Sequence, residues 1–398
     1  MKEKFLRELA DIQTGPFGSQ LHKEDYVADG IPIVTVEHLG NKMFSEQNLP
    51  RVSNTDKNRL KKYVLKQGDI VFSRVGSVDR CSYVDQKHDG WMFSGRCLRV
   101  RPTSEIDSEY LYYYFCLEET KQFVRNIAVG ATMPSINTKL LGEVVVTFPE
   151  LEQQKRISGI LSAIDSKIEV NQKINDNLEQ QAVALFKSWF VDFSLFGGTV
   201  PENWEDTTLE NITTLITRGI APKYSNDSDQ TVINQKCIRN HTIDLSLARS
   251  HTPKAINEKW LQFGDLLINS TGDGTLGRVA QVWFTPKSLT VDSHVTIVRP
   301  AREELIFYIG LWGILHEKEI ESLHTGSTGQ TELPRDRVKM LKLLLPDDSS
   351  LSRFNSIIAP ITSTIISNQE ENQKLTNLRD MLLSKLMSGK MDVSNIQL

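Results

Sequence analysis

The sequence predicts an α+β fold written twice: two globular domains related by a pseudo-twofold axis and separated by two long helices that pair antiparallel as a coiled coil. Three observations carry this. Residues of the first half recur in the second at a nearly constant offset: 196 for Gly68 and Gly264, 198 for Arg80 and Arg278, 198 for Pro102 and Pro300, 197 for Pro149 and Pro346. One drifting offset along the chain marks a tandem duplication. After the last proline of each half, the apolar period changes from about 2 to about 3.5. Finally, "IDSKIEVNQKINDNL" from Ile164 returns as "ITSTIISNQEENQKL" from Ile361, with Asn at the same two places.

Taken in order, residues 1–149 form the first globular domain, 150–198 the first long helix with its linker, 199–346 the second domain, and 347–398 the second long helix with a C-terminal tail. Short β-branched runs bounded by turn residues predict strands: "GIPIV", "GDIVFSR", "CLRVRP" and "GEVVVTF", then "GDLLINS", "RVAQVWF", "HVTIVRP" and "MLKLLL". One helix is predicted from Ser108 to Val124, and its counterpart from Glu303 to Leu323.

In the first long helix a heptad seam runs through Leu161, Ile164, Ile168, Asn171, Asn175, Leu178, Ala182, Leu185 and Trp189. The second repeats it as Ile358, Ile361, Ile365, Asn368, Asn372, Leu375, Arg379, Leu382 and Leu386. Asn in an apolar seam costs stability but demands a polar match, so it fixes register and partner. The two helices are therefore expected to be made for each other. From Glu150 to Asp192 the first has 43 residues, about 65 Å if unbroken.

Composition narrows the function. The chain has 398 residues, 39% of them hydrophobic, enough for real cores. No apolar run reaches the ~18 residues of a membrane span, and the amphipathic start "MKEKFLRELADI" lacks a signal core, so a cytoplasmic protein without membrane partners is expected. Four cysteines and eight histidines fall at no metal-ligand spacing, which predicts no metal. "GDGTLG" at Gly272 has dinucleotide spacing but precedes a predicted strand where that fold needs a helix. Asp107 with "ETK" (Glu119–Lys121) resembles nuclease spacing, yet falls on a predicted helix face. There are no adjacent prolines for an adenine-holding loop, no methyl-donor glycine loop and no nucleophile elbow. No catalytic residue is expected in this chain.

What remains is six loops rich in Gly, Ser, Thr, Asn, Gln and isolated Arg. They are "QTGPFGSQL", "SRVGSVDR" and "GATMPSINT" in the first half, and "TRGIAPKYSN", "NSTGDGTLGR" and "HTGSTGQTEL" in the second. Arg, Asn and Gln pair bidentately with purine edges, and hydroxyls bind phosphates.

With these loops, "ELEQQKRISGILSAIDSKIE" and "ALFKSWFVDF", the domain–helix–domain–helix plan resembles the specificity subunit of type I restriction-modification enzymes, a phage-defence system. The second half departs most, since "PDDSSLSRF" keeps only the Pro and the helix period. The resemblance implies two target recognition domains, each reading half of a bipartite asymmetric site on double-stranded DNA. It implies helices that set the gap between half-sites and dock two methyltransferase subunits. Those partners would bind the S-adenosylmethionine and methylate adenine at N6, with motor-nuclease subunits joining for restriction. This chain would then be non-catalytic and hold no cofactor itself.

On that reading the DNA contacts are Thr14, Phe17, Ser19, Gln20, Arg74, Arg80 and Thr132 in the first domain, and Arg218, Lys223, Tyr224, Asn269, Thr271, Arg278 and Thr328 in the second. "KNRLKK" (Lys57 to Lys62) is either a further contact or a solvated face. Phe186, Trp189 and Phe190, near a helix end, are offered as exposed residues for partner docking, the alternative being packing against the neighbouring domain. Charge adds a constraint: the net is −4, and only residues 1–149 carry more basic than acidic side chains, by one. The isolated chain should bind DNA weakly, its partners supplying much of the phosphate contact. The competing reading is a coiled-coil scaffold whose duplicated domains bind protein.

Overall fold

The computed structural model describes residues 1–16, 18–40, 42–272, 274–326 and 331–393. It divides into two compact units, Met1–Val170 with Glu371–Leu398, and Asn171–Glu370. Each holds one globular part and one half of each long helix.

In the first unit a four-stranded antiparallel sheet runs in the order Ala10–Thr14, Cys97–Pro102, Ile70–Ser73, Cys81–Tyr83. A second sheet orders Tyr26–Val27, Arg51–Val52, Ile31–Val34 and Met92–Phe93, the last pair parallel. Lys2–Phe5 pairs with Val145–Phe148. The second unit repeats the plan. Its main sheet orders Thr213–Arg218, Val295–Pro300, Leu266–Asn269 and Val279–Gln281. A smaller sheet orders Arg249–Ser250, Thr231–Ile233 and Leu289–Val291, and Glu205–Thr208 pairs with Lys342–Leu345. Equal neighbours in equal order in the two main sheets make the duplication structural as well as textual.

The central strands "IVFS" and "LLIN" are buried at every position. Alternate side chains enter two cores, Ile70 and Phe72 on one face and Val71 on the other. In the second unit Leu266 and Ile268 face one core and Leu267 the other. A sheet covered on both faces explains continuous apolar runs where alternation alone would leave one face wet.

Each predicted single helix is two. Ser108–Cys116 and Glu118–Ile127 break at Leu117, and Ile306–Leu315 and Glu317–Ser322 break at His316. At both breaks acidic residues, Glu118 and Glu119 or Glu317 and Glu319, occupy the first turn of the new helix, where the amide dipoles favour them.

A repeated ion pair braces both main sheets. Arg101 donates from Nε and Nη2 to the two oxygens of Asp69, at 2.7 Å each, and Arg299 does the same to Asp265, at 2.8 Å each. Both carboxylates are buried.

The long helices are Leu151–Phe190 and Asp348–Met387, 40 residues each. Pro360 is tolerated inside the second on an exposed face. Among the described residues no helix is long and apolar enough to cross a membrane. Within each unit the two helices run antiparallel. In the first, Asp165 accepts from Arg379 at 2.9 Å and the carbonyl of Ile168 accepts from Asn372 Nδ2 at 3.4 Å. In the second, Asn175 Nδ2 donates to the carbonyl of Ile365 at 3.2 Å, Asn368 donates to Asn175 Oδ1 at 2.8 Å, and Phe186 and Trp189 meet Phe354. None of the seam positions named above is exposed.

One expectation needs correction. Phe186, Trp189 and Phe190 are only 2%, 4% and 6% exposed, inside the second unit's core with Trp204, Tyr308 and Phe354. They share a face with Ala182 at helical spacing, and that face holds the helix to its own globular part. They are structural anchors within the chain, not a free docking surface.

Polar clasps complete the attachment. Lys42 reaches Ser162 Oγ at 2.9 Å and Glu109 at 2.8 Å. In the second unit His241, 199 residues on, places Nδ1 2.6 Å from Glu179 of the long helix and Nε2 3.6 Å from Glu317. Burial disfavours the charged imidazole, but the two carboxylates outweigh it and raise its pKa from 6.5 to about 9.

Two predictions follow from these contacts. Asp69→Ala or Asp265→Ala, by stranding its arginine, should cost about 3 kcal/mol in denaturant unfolding, more at Asp265, whose arginine is the more buried. Because the folded pKa of His241 is raised, its stabilisation is complete below pH 6.5 and lost as pH rises through about 9. The melting-temperature gap between the wild type and His241→Gln should therefore be widest near pH 6 and close by pH 10; a gap that widens with pH would refute this.

Candidate nucleic-acid interface

In each unit, backbone bonds hold the three loops noted in the sequence at one end of the main sheet, the first to the neighbouring strand and the second and third to each other. In the first, Gly15 N donates to the Cys97 carbonyl at 3.2 Å and Arg74 N to that of Arg96 at 2.8 Å. Gly76 N donates to Pro134 O at 2.8 Å, Ile136 N to Arg74 O at 2.9 Å, and Val129 and Ser135 pair in both directions. In the second unit Gly219 N donates to Val295 O at 3.1 Å, Ser270 N to His294 O at 2.8 Å and Leu333 N to Ser270 O at 2.8 Å, while Thr325 and Glu332 pair in both directions. The contact pattern is the same, shifted by about one repeat.

Glycine is required where the first loop leaves its strand. A Cβ on Gly15 would lie 2.1 Å from Ser94 O, and one on Gly219 1.9 Å from Val291 O. These two backbones run against their neighbours because nothing stands between them.

Among the candidates in the first unit, Thr14 and Arg74 line an open pocket of about 470 Å³ with Val129, Ser135 and Asn137. Arg74 is steadied by a bond from Nη1 to Gly95 O at 3.0 Å. Thr132 is exposed on the hairpin tip beside Met133, which is 66% exposed. Arg80 is exposed and its guanidinium lies over Gly40, where a Cβ would come within 2.7 Å of Nε. Gln20 is half-buried, its Oε1 accepting from Tyr63 at 2.6 Å and its carbonyl from Arg59 at 2.9 Å. Arg59 also pairs with Asp56 at 2.8 Å, so "KNRLKK" is in part a local brace. Ser19 lies in the short turn Gly18–Gln20. Phe17 and Thr328 lie outside the described residues.

In the second unit Lys223 and Tyr224 are exposed, the tyrosine ring 3.5 Å beneath the guanidinium of Arg249. Thr271 shares a 2.7 Å hydrogen bond with His294, and Arg278 Nη2 donates to Gly274 O at 2.8 Å. Two placements overturn the expectation. Asn269 is fully buried and bonds Gln235 O at 3.1 Å, because as the last residue of a central strand it faces the protein. Arg218 gives its guanidinium to Glu332 and to the Leu333 carbonyl, at 2.5 and 2.7 Å.

The sequence reading missed Arg96 and His294, equivalent exposed residues 198 apart in the turns before "CLRVRP" and "VTIVRP". The repeat offset and a polar residue in the turn before a repeated strand were the available signal. Arg80 and Arg96 have no ion pair among the described residues.

Comparison with known proteins fits this geometry. Residues 1–180 match the model of the type I restriction modification DNA specificity domain. The chain is 25% identical over 423 residues to the MjaIX type I restriction enzyme specificity subunit of Methanocaldococcus jannaschii, covering 99% of this chain and 94% of the relative. With the HindI specificity subunit of Haemophilus influenzae it shares 24% identity over 411 residues, 83% of this chain and 88% of the other. The crystal structure of a type I restriction-modification S subunit from M. genitalium has the same fold, with a TM-score of 0.54 at 17% identity over 97% of this chain and 95% of that one. Built as a duplicated pair of loop-bearing sheets on two long helices, the chain carries over residues 1–180 the type I restriction modification DNA specificity domain and is similar along its length to specificity subunits of type I restriction enzymes.

Proposed function

We propose that this chain is the DNA-sequence reader of a type I restriction-modification complex, with each unit's loop cluster reading one half of a bipartite asymmetric site. The single observation that carries the proposal is the recurrence of the same three-loop cluster at the same end of both main sheets. Two copies of one reading head, differing in loop residues, suit two different half-sites. The scaffold reading gives no reason for exposed arginines and hydroxyls to gather there.

The chain's own role is binding and orientation. Arg80, Arg96 and Thr132 present free donors to phosphates and base edges, and Arg74 is held in a fixed pose beside them. In the second unit Lys223, Tyr224, Thr271, Arg278 and His294 take that part. The long helices would set the gap between half-sites and dock two methyltransferase subunits. Those subunits bring S-adenosylmethionine and transfer its methyl group to adenine N6, and nuclease subunits join for restriction. DNA as target places the work in the cytoplasm.

The test is to express the chain with its neighbouring methyltransferase and sequence the host DNA for modified adenines. A bipartite motif with one modified adenine per strand and a fixed gap is expected; an active, soluble complex that modifies nothing would favour the scaffold. In the same complex Arg80→Ala and Arg96→Ala should each reduce the slope of log binding constant against log salt by about 1 where the arginine meets a phosphate, and relax the motif at one position of the first half-site where it meets a base edge.

A further inference from the structure

Arg218 does not fit the part of a DNA contact, because its guanidinium is already engaged. It ends the strand Thr213–Arg218, at the root of the second unit's first loop. Nη1 lies 2.5 Å from Glu332 Oε1 and Nη2 2.7 Å from the Leu333 carbonyl, so one planar group grips two successive residues of the third loop. Glu332 is itself a node. Its backbone pairs with Thr325 in both directions, at 2.8 and 2.9 Å, and bridges to Thr271 in the second loop. Leu333 is fully buried and its N–H bonds Ser270 O at 2.8 Å. All three loops thus meet at Glu332, and Arg218 is the side chain that closes the junction. The first unit has uncharged Thr14 and Ser135 at the matching places, and there Arg74 of the second loop bonds Gly95 in the turn before Cys97–Pro102 instead.

We infer that Arg218 is a positioning residue that, with Glu332, locks the second unit's three loops together and so fixes the specificity of the second half-site without touching DNA. The inference rests on the DNA-reading function proposed above. Base readout needs donors placed to within about half an ångström, so freeing the third loop should blur recognition before it weakens non-specific binding.

The experiment uses the complex with its methyltransferase, genome-wide mapping of modified adenines, and the salt dependence of DNA binding. Arg218→Ala should lower discrimination at one or more bases of the second half-site by roughly tenfold, leave the first half-site sharp, and leave the salt slope unchanged. An intact first half-site also shows that the variant has folded and assembled. Arg218→Lys, which keeps the charge pair but not the two-residue grip, should fall between. The charge swap Arg218→Glu with Glu332→Arg keeps the ion pair but loses the donor to the Leu333 carbonyl, so it should restore the second half-site in part. Failure of the swap together with a salt slope lowered by about 1 for Arg218→Ala would make Arg218 a phosphate contact and overturn the inference. A second half-site left sharp by Arg218→Ala would overturn it too. Absence of any bipartite motif from the wild-type complex would instead sink the function on which it rests.

Discussion

Register between the two long helices is set by side-chain amides, and both globular parts hang from that pairing. Asn175 donates to the main-chain carbonyl of Ile365, and Asn372 to that of Ile168. Donors and acceptors are each 197 residues apart, so one bond is made twice by a helix packed against its own repeat. Sliding either helix by a turn would set an amide against Ile or Leu and leave a polar group without its partner, a cost of about 1–3 kcal/mol each time. Apolar seam residues would tolerate the slip; the amides do not. Between Ile168 and Asn372 on one side and Asp165 with Arg379 on the other, the polar matches continue along the seam.

Each globular part is stiffened by the same device, a buried carboxylate gripped by a two-pronged arginine on the adjacent strand. That brace lies in the sheet, and the loops lie at the sheet's end, where backbone bonds among them leave few ways to move. A duplicated scaffold has thus been free to diverge at its loop tips. The first cluster presents arginines at 80 and 96; the second spends an arginine on internal order and exposes a histidine, hydroxyls and a stacked tyrosine.

Charge gives that divergence a consequence. With 46 basic against 50 acidic residues, the chain has no general attraction to a polyanion, so electrostatic affinity for one rests on local groups.

The sequence by itself determined the architecture. The offset near 197 announced two like parts, the change of period announced the helices, and the asparagines announced their pairing, because each signal is local in the chain and periodic. Tertiary structure alone decided which polar residues are free. Asn269 and Arg218 have the same composition-level credentials as Arg80, yet one is fully buried and the other is clamped by Glu332, more than a hundred residues away. Phe186, Trp189 and Phe190 likewise read as an exposed hydrophobic end until Tyr308 and Phe354 are seen to cover them. Periodicity reports which side of an element is apolar; it is silent on what distant segment arrives to bury a side or capture a charge, since that depends on contacts between residues far apart in the chain.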